Sequence, residues 1–130
     1  MQLGPENTAE MLTLIGETKP GPFGPRTSEL GLYVGIRDGR DGRLIAMGGE
    51  RLRVGGYVEL SAIAVHPGVR GRGLGGAVTA YLAQAAIARG EIPFLHVFPS
   101  NPAIGLYQRI GFRKRTTLWV IWNRLSIEPA

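Results

Sequence analysis

Two arginines and four glycines stand together at Arg70-Gly71-Arg72-Gly73-Leu74-Gly75-Gly76. Glycines let a backbone come close to an anion, and guanidinium groups add charge and donors. An apolar run, Ser61 to Val65, leads into this stretch through His66-Pro67-Gly68-Val69, and an Ala- and Leu-rich segment, Leu74 to Arg89, leaves it. A strand therefore runs into a turn, and the turn opens a helix. Bare N–H groups and the positive end of a helix dipole then point at one spot, which suits a phosphate. A phosphate-binding P-loop would need a Gly-Lys-Ser/Thr ending, which is absent. A dinucleotide fold would need G-x-G-x-x-G after the first strand of a parallel sheet, and the spacing here is wrong. RNA-binding Arg-Gly tracts are repetitive and disordered, whereas this one is short and bounded by regular elements.

The elements that must position this turn are legible on both sides. A helix is expected to start near Gly4-Pro5-Glu6-Asn7-Thr8, capped by Asn7 or Thr8, with Met11, Leu12, Leu14 and Ile15 on its apolar face. Lys19 to Thr27 is too rich in proline and glycine for regular structure, and its Phe23 is either a core plug or a pocket wall. Strands are predicted at Leu30–Arg37, Leu44–Arg53 and Tyr57–Val65, antiparallel to one another, with a hairpin turn at Asp38 to Gly42. That turn lacks the ligand spacing and closing Glu of a calcium loop, and no metal is expected. The Gly48-Gly49 pair signals a bulge or a close backbone approach. After the turn, Leu74, Ala77, Val78, Tyr81, Leu82, Ala85 and Ala86 form a helical stripe that ends at Arg89-Gly90. Ile92–Phe98 should be a buried strand parallel to Tyr57–Val65, completing a right-handed βαβ unit. A short helix with Ser100 or Asn101 as cap and a last strand, Thr116–Trp122, follow. Arg113-Lys114-Arg115 reads as a solvated corner.

Composition narrows the chemistry. The 130 residues suffice for one domain with a real core, and 44% hydrophobic against 19% charged residues is a globular balance. The net charge of +5 suits an anionic ligand or nucleic acid equally. With no cysteine, disulfides, thiolate metal sites and a Cys nucleophile are excluded. No apolar run is long enough to span a bilayer and no signal-peptide core opens the chain, so a cytoplasmic protein is expected.

Arg70-x-x-Gly73-x-Gly75, after a strand ending Ile63-Ala64-Val65-His66-Pro67, resembles the acyl-CoA signature of the GNAT superfamily of N-acetyltransferases. Asn101-x-Ala103-x-x-Leu106-Tyr107-x-x-x-Gly111-Phe112 is similar to the superfamily's next motif, and the order of elements agrees. Thr27-x-Glu29-Leu30-Gly31, Gly35-Ile36-Arg37 and Pro93-Phe94-Leu95-His96-Val97 resemble the FR47-like subgroup. The resemblance runs from about Leu30 to the C-terminus. It implies an α/β (α+β) fold: a mixed, mostly antiparallel sheet with a central parallel βαβ unit whose strands splay. Residues 1–130 would form one domain, with 1–29 a variable acceptor-side segment and 30–125 the core. Superfamily members carry a first strand and usually two helices before the Leu30 strand. Here one stub and one helix stand there, as in a minimal member or a piece of a longer chain, and an open sheet edge would invite dimerisation.

The resemblance further implies acetyl-CoA as cosubstrate and transfer to an amine, with nucleic acid and membrane not among the partners. Backbone N–H groups of Arg70, Gly71, Arg72, Gly73, Leu74, Gly75 and Gly76 would hold the pyrophosphate. Ile63, Ala64 and Val65 would offer main-chain groups to the pantetheine arm, which lies along the strand like an added neighbour. Asn101 and Ile104 would line the far side, and Tyr107 would protonate the departing thiolate; in isolation Tyr107 reads rather as a core tyrosine with a satisfied hydroxyl, a preference that the motif reverses. Glu59, on the strand leading into the slot, is the candidate base, directly or through water; it also reads as an exposed carboxylate paired with an arginine. Glu29 is a second base candidate. His66 reads as a turn or cofactor-rim residue, and His96 as a hydrogen-bonded core histidine. Ser61 has no neighbouring base, so no acyl-enzyme is expected. The rival reading is a non-catalytic module that binds CoA or acyl-CoA on the same fold.

Overall fold

A computed structural model describes residues 1–18, 31–97 and 101–114. Phe23, Glu29, Leu30, Ser100 and the Thr116–Trp122 strand lie outside the described residues. Five strands form one sheet in the order β1 (Gln2–Leu3), β2 (Tyr33–Arg37), β3 (Leu44–Val54), β4 (Tyr57–Val65) and β5 (Ile92–Phe94). The first four are antiparallel neighbours, and β4 and β5 are parallel. Helix α1 (Thr8–Thr18) joins β1 to the rest, α2 (Leu74–Ala88) makes the β4–β5 crossover, and α3 (Ile104–Ile110) follows β5. The expected mixed, mostly antiparallel sheet with one parallel βαβ unit is therefore present. The edge next to β2 is not open, because the two-residue β1 pairs with Tyr33 and Val34. Among the described residues, no helix is long and apolar enough to cross a membrane.

Each face of the sheet is covered by one helix. Met11, Leu14 and Ile15 of α1 bury against Leu3, Tyr33, Leu44, Met47, Ala62 and Ala64. On the other face, Val78, Leu82 and Ala83 of α2 bury against Val34, Ala46 and Leu60. The predicted stripe on α2 needs correcting, since Ala77 and Tyr81 are exposed while Gly76, Thr79 and Ala83 are buried. This helix is apolar nearly all round, so periodicity does not select its inner face. The glycine pair of β3 is a close approach on both faces at once. A Cβ on Gly49 would sit 2.2 Å from the Tyr33 ring, and one on Gly48 would sit 2.7 Å from Val78 Cγ1.

Two further expectations change. Strand β2 starts at Tyr33 and not at Leu30, because the Leu32 amide turns to a side chain, donating to Glu50 Oε1 at 3.1 Å. Strand β5 stops at Phe94 and not at Phe98, and its Ile92 is 53% exposed.

Glu50 is 1% exposed and fully engaged. Besides the Leu32 amide, Oε1 accepts from Arg53 Nη2 at 2.9 Å, and Oε2 pairs with Arg89 just past the end of α2. Glu91 bridges the same two arginines at 2.7 Å each. A buried carboxylate is tolerated only when so compensated, and this one ties β3 to the α2 terminus. Near the other end, Arg37 Nη2 donates to Glu10 Oε1 at 2.9 Å, tying β2 to α1. The Arg37 guanidinium, helped by the Asn7 amide, holds the Glu10 carboxyl down to about 2.

Glu50→Ala should lower unfolding free energy by about 2 kcal/mol, because Leu32 N–H and two arginines lose their acceptor; an unchanged urea midpoint would contradict this. For Glu10 the folded-state value lies below its ordinary 4.5, so its contribution is present above pH 4.5 and is lost as pH falls toward 2. Melting temperature should fall through that window in the native chain and fall less in Glu10→Gln, with parallel curves counting against the link.

Candidate functional site

Past Val65 the chain makes one 3-10 turn, Pro67–Val69, which His66 caps by accepting the Gly68 amide on Nδ1 at 3.0 Å. His66 N donates to Ile45 O at 2.7 Å, pinning the turn to β3. His66 is thus a turn residue, as expected. The chain then reverses through Gly71 and Gly73, both left-handed at φ +84 and +76, where a Cβ would clash with its own backbone. Gly73 is the N-cap of α2. No side chain caps this helix, and its first turn holds no acidic residue. Four exposed residues, Arg70 to Gly73, surround the bare N-terminus. Gly75 and Gly76 keep two positions of its first turn free of side chains, and a Cβ on Gly76 would sit 3.1 Å from Leu106 Cδ1 of α3. The result is an open, cationic cradle of backbone N–H groups.

Beside it the sheet opens. β4 and β5 pair only at Tyr57–Ile92, Val58–Pro93 and Glu59–Phe94. From Leu60 to Val65, β4 has β3 on one side and, among the described residues, no strand on the other. Within this stretch Ala62 adopts φ +55, and the β3 register slips around it. A bulge of this kind bends its strand and breaks the ladder. Ser61, Ile63 and Val65 are half-buried along the opening, and the Val65 carbonyl accepts a long 3.3 Å bond from Arg70 Nε. Ile63, Ala64 and Val65 thus run from the slot into the cradle.

Helix α3 packs against α2 through Leu106 and Gly76. Asn101 Oδ1 accepts the Ala103 amide at 2.8 Å and starts the helix. Ile104 and Tyr107 are half-buried. The Tyr107 ring meets Phe112 edge-on with centroids 6.2 Å apart, and the Phe112 amide returns to the Tyr107 carbonyl at 3.0 Å. Burial pushes the Tyr107 phenol up from its usual range, so it keeps its proton at neutral pH.

The opposite side of the slot holds charge. Glu59 is 4% exposed, not an exposed strand carboxylate. Its Oε1 lies 3.0 Å from Arg51 Nε without a hydrogen bond, and its Oε2 lies 2.7 Å from His96 Nδ1, within hydrogen-bond distance. His96 is hydrogen-bonded as expected, but its side chain is 55% exposed, so it is not a core residue. It lies two residues beyond the last β5 pair, where the strand has left the sheet. Arg51 is a partner that alternation did not identify, because the β3 register slips between Glu50 and Leu52. The eight-residue segment His66–Gly73, which carries the bare amides, joins β4 to α2 beside the slot between β4 and β5, where the Glu59 carboxylate–His96 imidazole pair stands.

A family model described as FR47-like protein matches residues 33–120. A protein described as an acetyltransferase of the GNAT family, from Novosphingobium aromaticivorans, superposes with a TM-score of 0.84 at 41% identity, over 88% of this chain and 51% of its own. This chain therefore spans about half the length of that relative. The ribosomal-protein-S18-alanine N-acetyltransferase of Escherichia coli gives a TM-score of 0.76 at 25% identity, over 89% of this chain and 77% of its own. A Mycobacterium tuberculosis protein solved in complex with CoA shares the fold, with a TM-score of 0.72 at 18% identity over 93% of this chain and 75% of its own. No curated protein matches the sequence.

Two neighbouring glycines should respond oppositely to alanine. Gly73→Ala forces a side chain into φ +76 and should cost about 1–2 kcal/mol. Gly75→Ala, inside α2 with only an ordinary 3.4 Å contact to Val65, should stabilise by about 0.5–1 kcal/mol. Chemical denaturation of both variants checks the pair, and equal shifts would mean that Gly73 is not held in the left-handed region.

Proposed function

The chain belongs to the FR47-like family and has the GNAT acetyltransferase fold, and on that premise we propose that it moves an acetyl group from acetyl-CoA directly to a primary amine. The observation that carries this reading is the uncapped, acid-free N-terminus of α2 beside a strand edge that β5 leaves unpaired. A pyrophosphate fits the first, and an amide-bearing arm fits the second. The residues for the cradle are Arg70 to Gly76, with Arg70 exchanging the Val65 carbonyl for a phosphate oxygen. Ile63 and Val65 offer main-chain groups to the arm, and Asn101 and Ile104 close the side next to α3.

The proton balance assigns the remaining roles. An ammonium acceptor loses one proton before it attacks and a second after the new C–N bond forms, while the C–S bond breaks and sulfur gains a proton. Tyr107 gives that proton, and the second ammonium proton restores the phenol. The first proton leaves on the Glu59 side of the slot. Ser61 carries no acyl group in this scheme, because no base stands beside it among the described contacts.

Acetyl-CoA should bind at micromolar concentration in a calorimetric titration and release thiol with members of an amine panel. Tyr107→Phe should lower kcat about 10²-fold with little change in KM for acetyl-CoA. Unchanged turnover would remove Tyr107 as the acid. Binding without thiol release from any amine would point to a non-catalytic acyl-CoA-binding module.

A further inference from the structure

Glu59 offers little of itself to a substrate. It is 4% exposed; Oε1 is buried in ion-pair range of Arg51 without a hydrogen bond, and Oε2 meets His96. The imidazole is the reverse, with 55% of its side chain open. An ionised carboxylate only accepts, so Nδ1 of His96 carries a proton, and in the neutral ring Nε2 keeps its lone pair. Phe94 meets the imidazole edge-on, with centroids 5.6 Å apart and planes at 87°, so the ring is held on two sides. Glu59 lies at the last β4–β5 pair, and His96 lies where the two strands have parted.

We infer that His96 Nε2 is the atom that takes the first proton from the incoming ammonium, with Glu59 as its positioning residue and Arg51 as the cation beside Glu59. The inference rests on the acetyl-transfer reading and names the proton acceptor within it. An N–H bond of the ammonium breaks, the Nε2–H bond forms, and the Glu59 carboxylate stabilises the imidazolium until the proton passes to solvent. The charged groups that face the ring from packed elements are Glu59 on β4 and, behind it, Arg51 on β3. Tyr33 on β2 is coupled to the same pair, but burial pushes its phenol up to about 12, so it adds no charge at neutral pH. The other histidine, His66, has its Nδ1 engaged by the Gly68 amide.

The test uses the full chain, acetyl-CoA and the amine of a primary-amine panel that releases thiol fastest. His96→Ala, an exposed position, should fold and should lower kcat by about 10²-fold or more at neutral pH. KM for acetyl-CoA should stay within a few fold, the acid-side limb of kcat/KM against pH should vanish, and added imidazole should restore turnover. Glu59→Gln should lower kcat while imidazole restores nothing, since the native ring is still present. Native kcat in His96→Ala, an unchanged acid limb, or no rescue by imidazole would overturn the assignment. A second readout is independent of turnover: ¹⁵N chemical shifts of the His96 ring. The Nδ1–H tautomer, lost in Glu59→Gln, supports the inference, and an Nε2–H tautomer in the native chain overturns it. If the native chain releases no thiol with any amine, the acetyl-transfer reading fails, while the tautomer still reports on the Glu59–His96 pair.

Discussion

A left-handed residue in the middle of β4, Ala62 at φ +55, sets which side chains meet on each side of the sheet and where the sheet comes apart. Alanine adopts that conformation only at a cost of about 1 kcal/mol or more, so the surroundings must enforce it. They do so through packing: Ala62 and Ala64 are both buried under α1 with Met11, Leu14 and Tyr33, while Leu60 before the bulge is buried under α2. Alternation is reset at this point. Ser61 pairs with Gly49 on the face of the Tyr33 ring, whereas Ile63 lies with Val78 and Leu82 around Gly48 on the other face. Bending at a bulge also takes β4 away from a straight neighbour, and β5 keeps company with it only to Glu59. One backbone irregularity thus leaves a strand edge free inside a sheet and aims it at the N-terminus of α2.

The two buried carboxylates of the sheet show how partners separate structural from chemical use. Glu50 and Glu59 are almost equally buried, at 1% and 4% exposure. Glu50 faces Arg53, Arg89 and a backbone amide, groups that hold their protons at any working pH. Its network locks β3 to the crossover helix and can do little else. Glu59 has one arginine and one imidazole beside it, and 55% of that imidazole side chain is open to solvent. An imidazole gains and loses a proton near neutral pH, which no guanidinium does. Equal burial therefore leads to different capacities, decided by what stands opposite each carboxylate.

Much of this was legible in the residues. The strand Tyr57–Val65, the turn Asp38–Gly42, the helix from Leu74 and the glycine after Arg89 were fixed by local signals: alternation, turn residues, a cap. The cradle was legible for the same reason, since glycine and arginine spacing is itself the geometry of the turn. What was not legible depends on register. Arg51 reaches Glu59 only because β3 slips between Glu50 and Leu52, and no pattern in the sequence marks that slip. His96 in an apolar run, Pro93 to Val97, reads as core; it is exposed because β5 leaves the sheet at Phe94, a consequence of the β4 bend and not of its own neighbours. The inner face of α2 was misread at Ala77 and Tyr81 because an all-apolar helix carries no phase.

The placement of the proposed acid and base follows from the same parting of strands. Tyr107 belongs to α3, which leans on α2 through Leu106 and Gly76, so the phenol stands on the α2 side of the sheet. Glu59 shares its face with Ser61, on the side of Tyr33 and α1, and carries His96 with it. In acyl transfer the nucleophile enters and the leaving group departs at different positions around one carbon, so their proton partners must be separate and must not neutralise each other. A closed sheet would keep groups on its two faces apart with a layer of backbone between them. Where β4 and β5 diverge that layer is missing, and a phenol on one face and an imidazole on the other can serve the same reacting carbon.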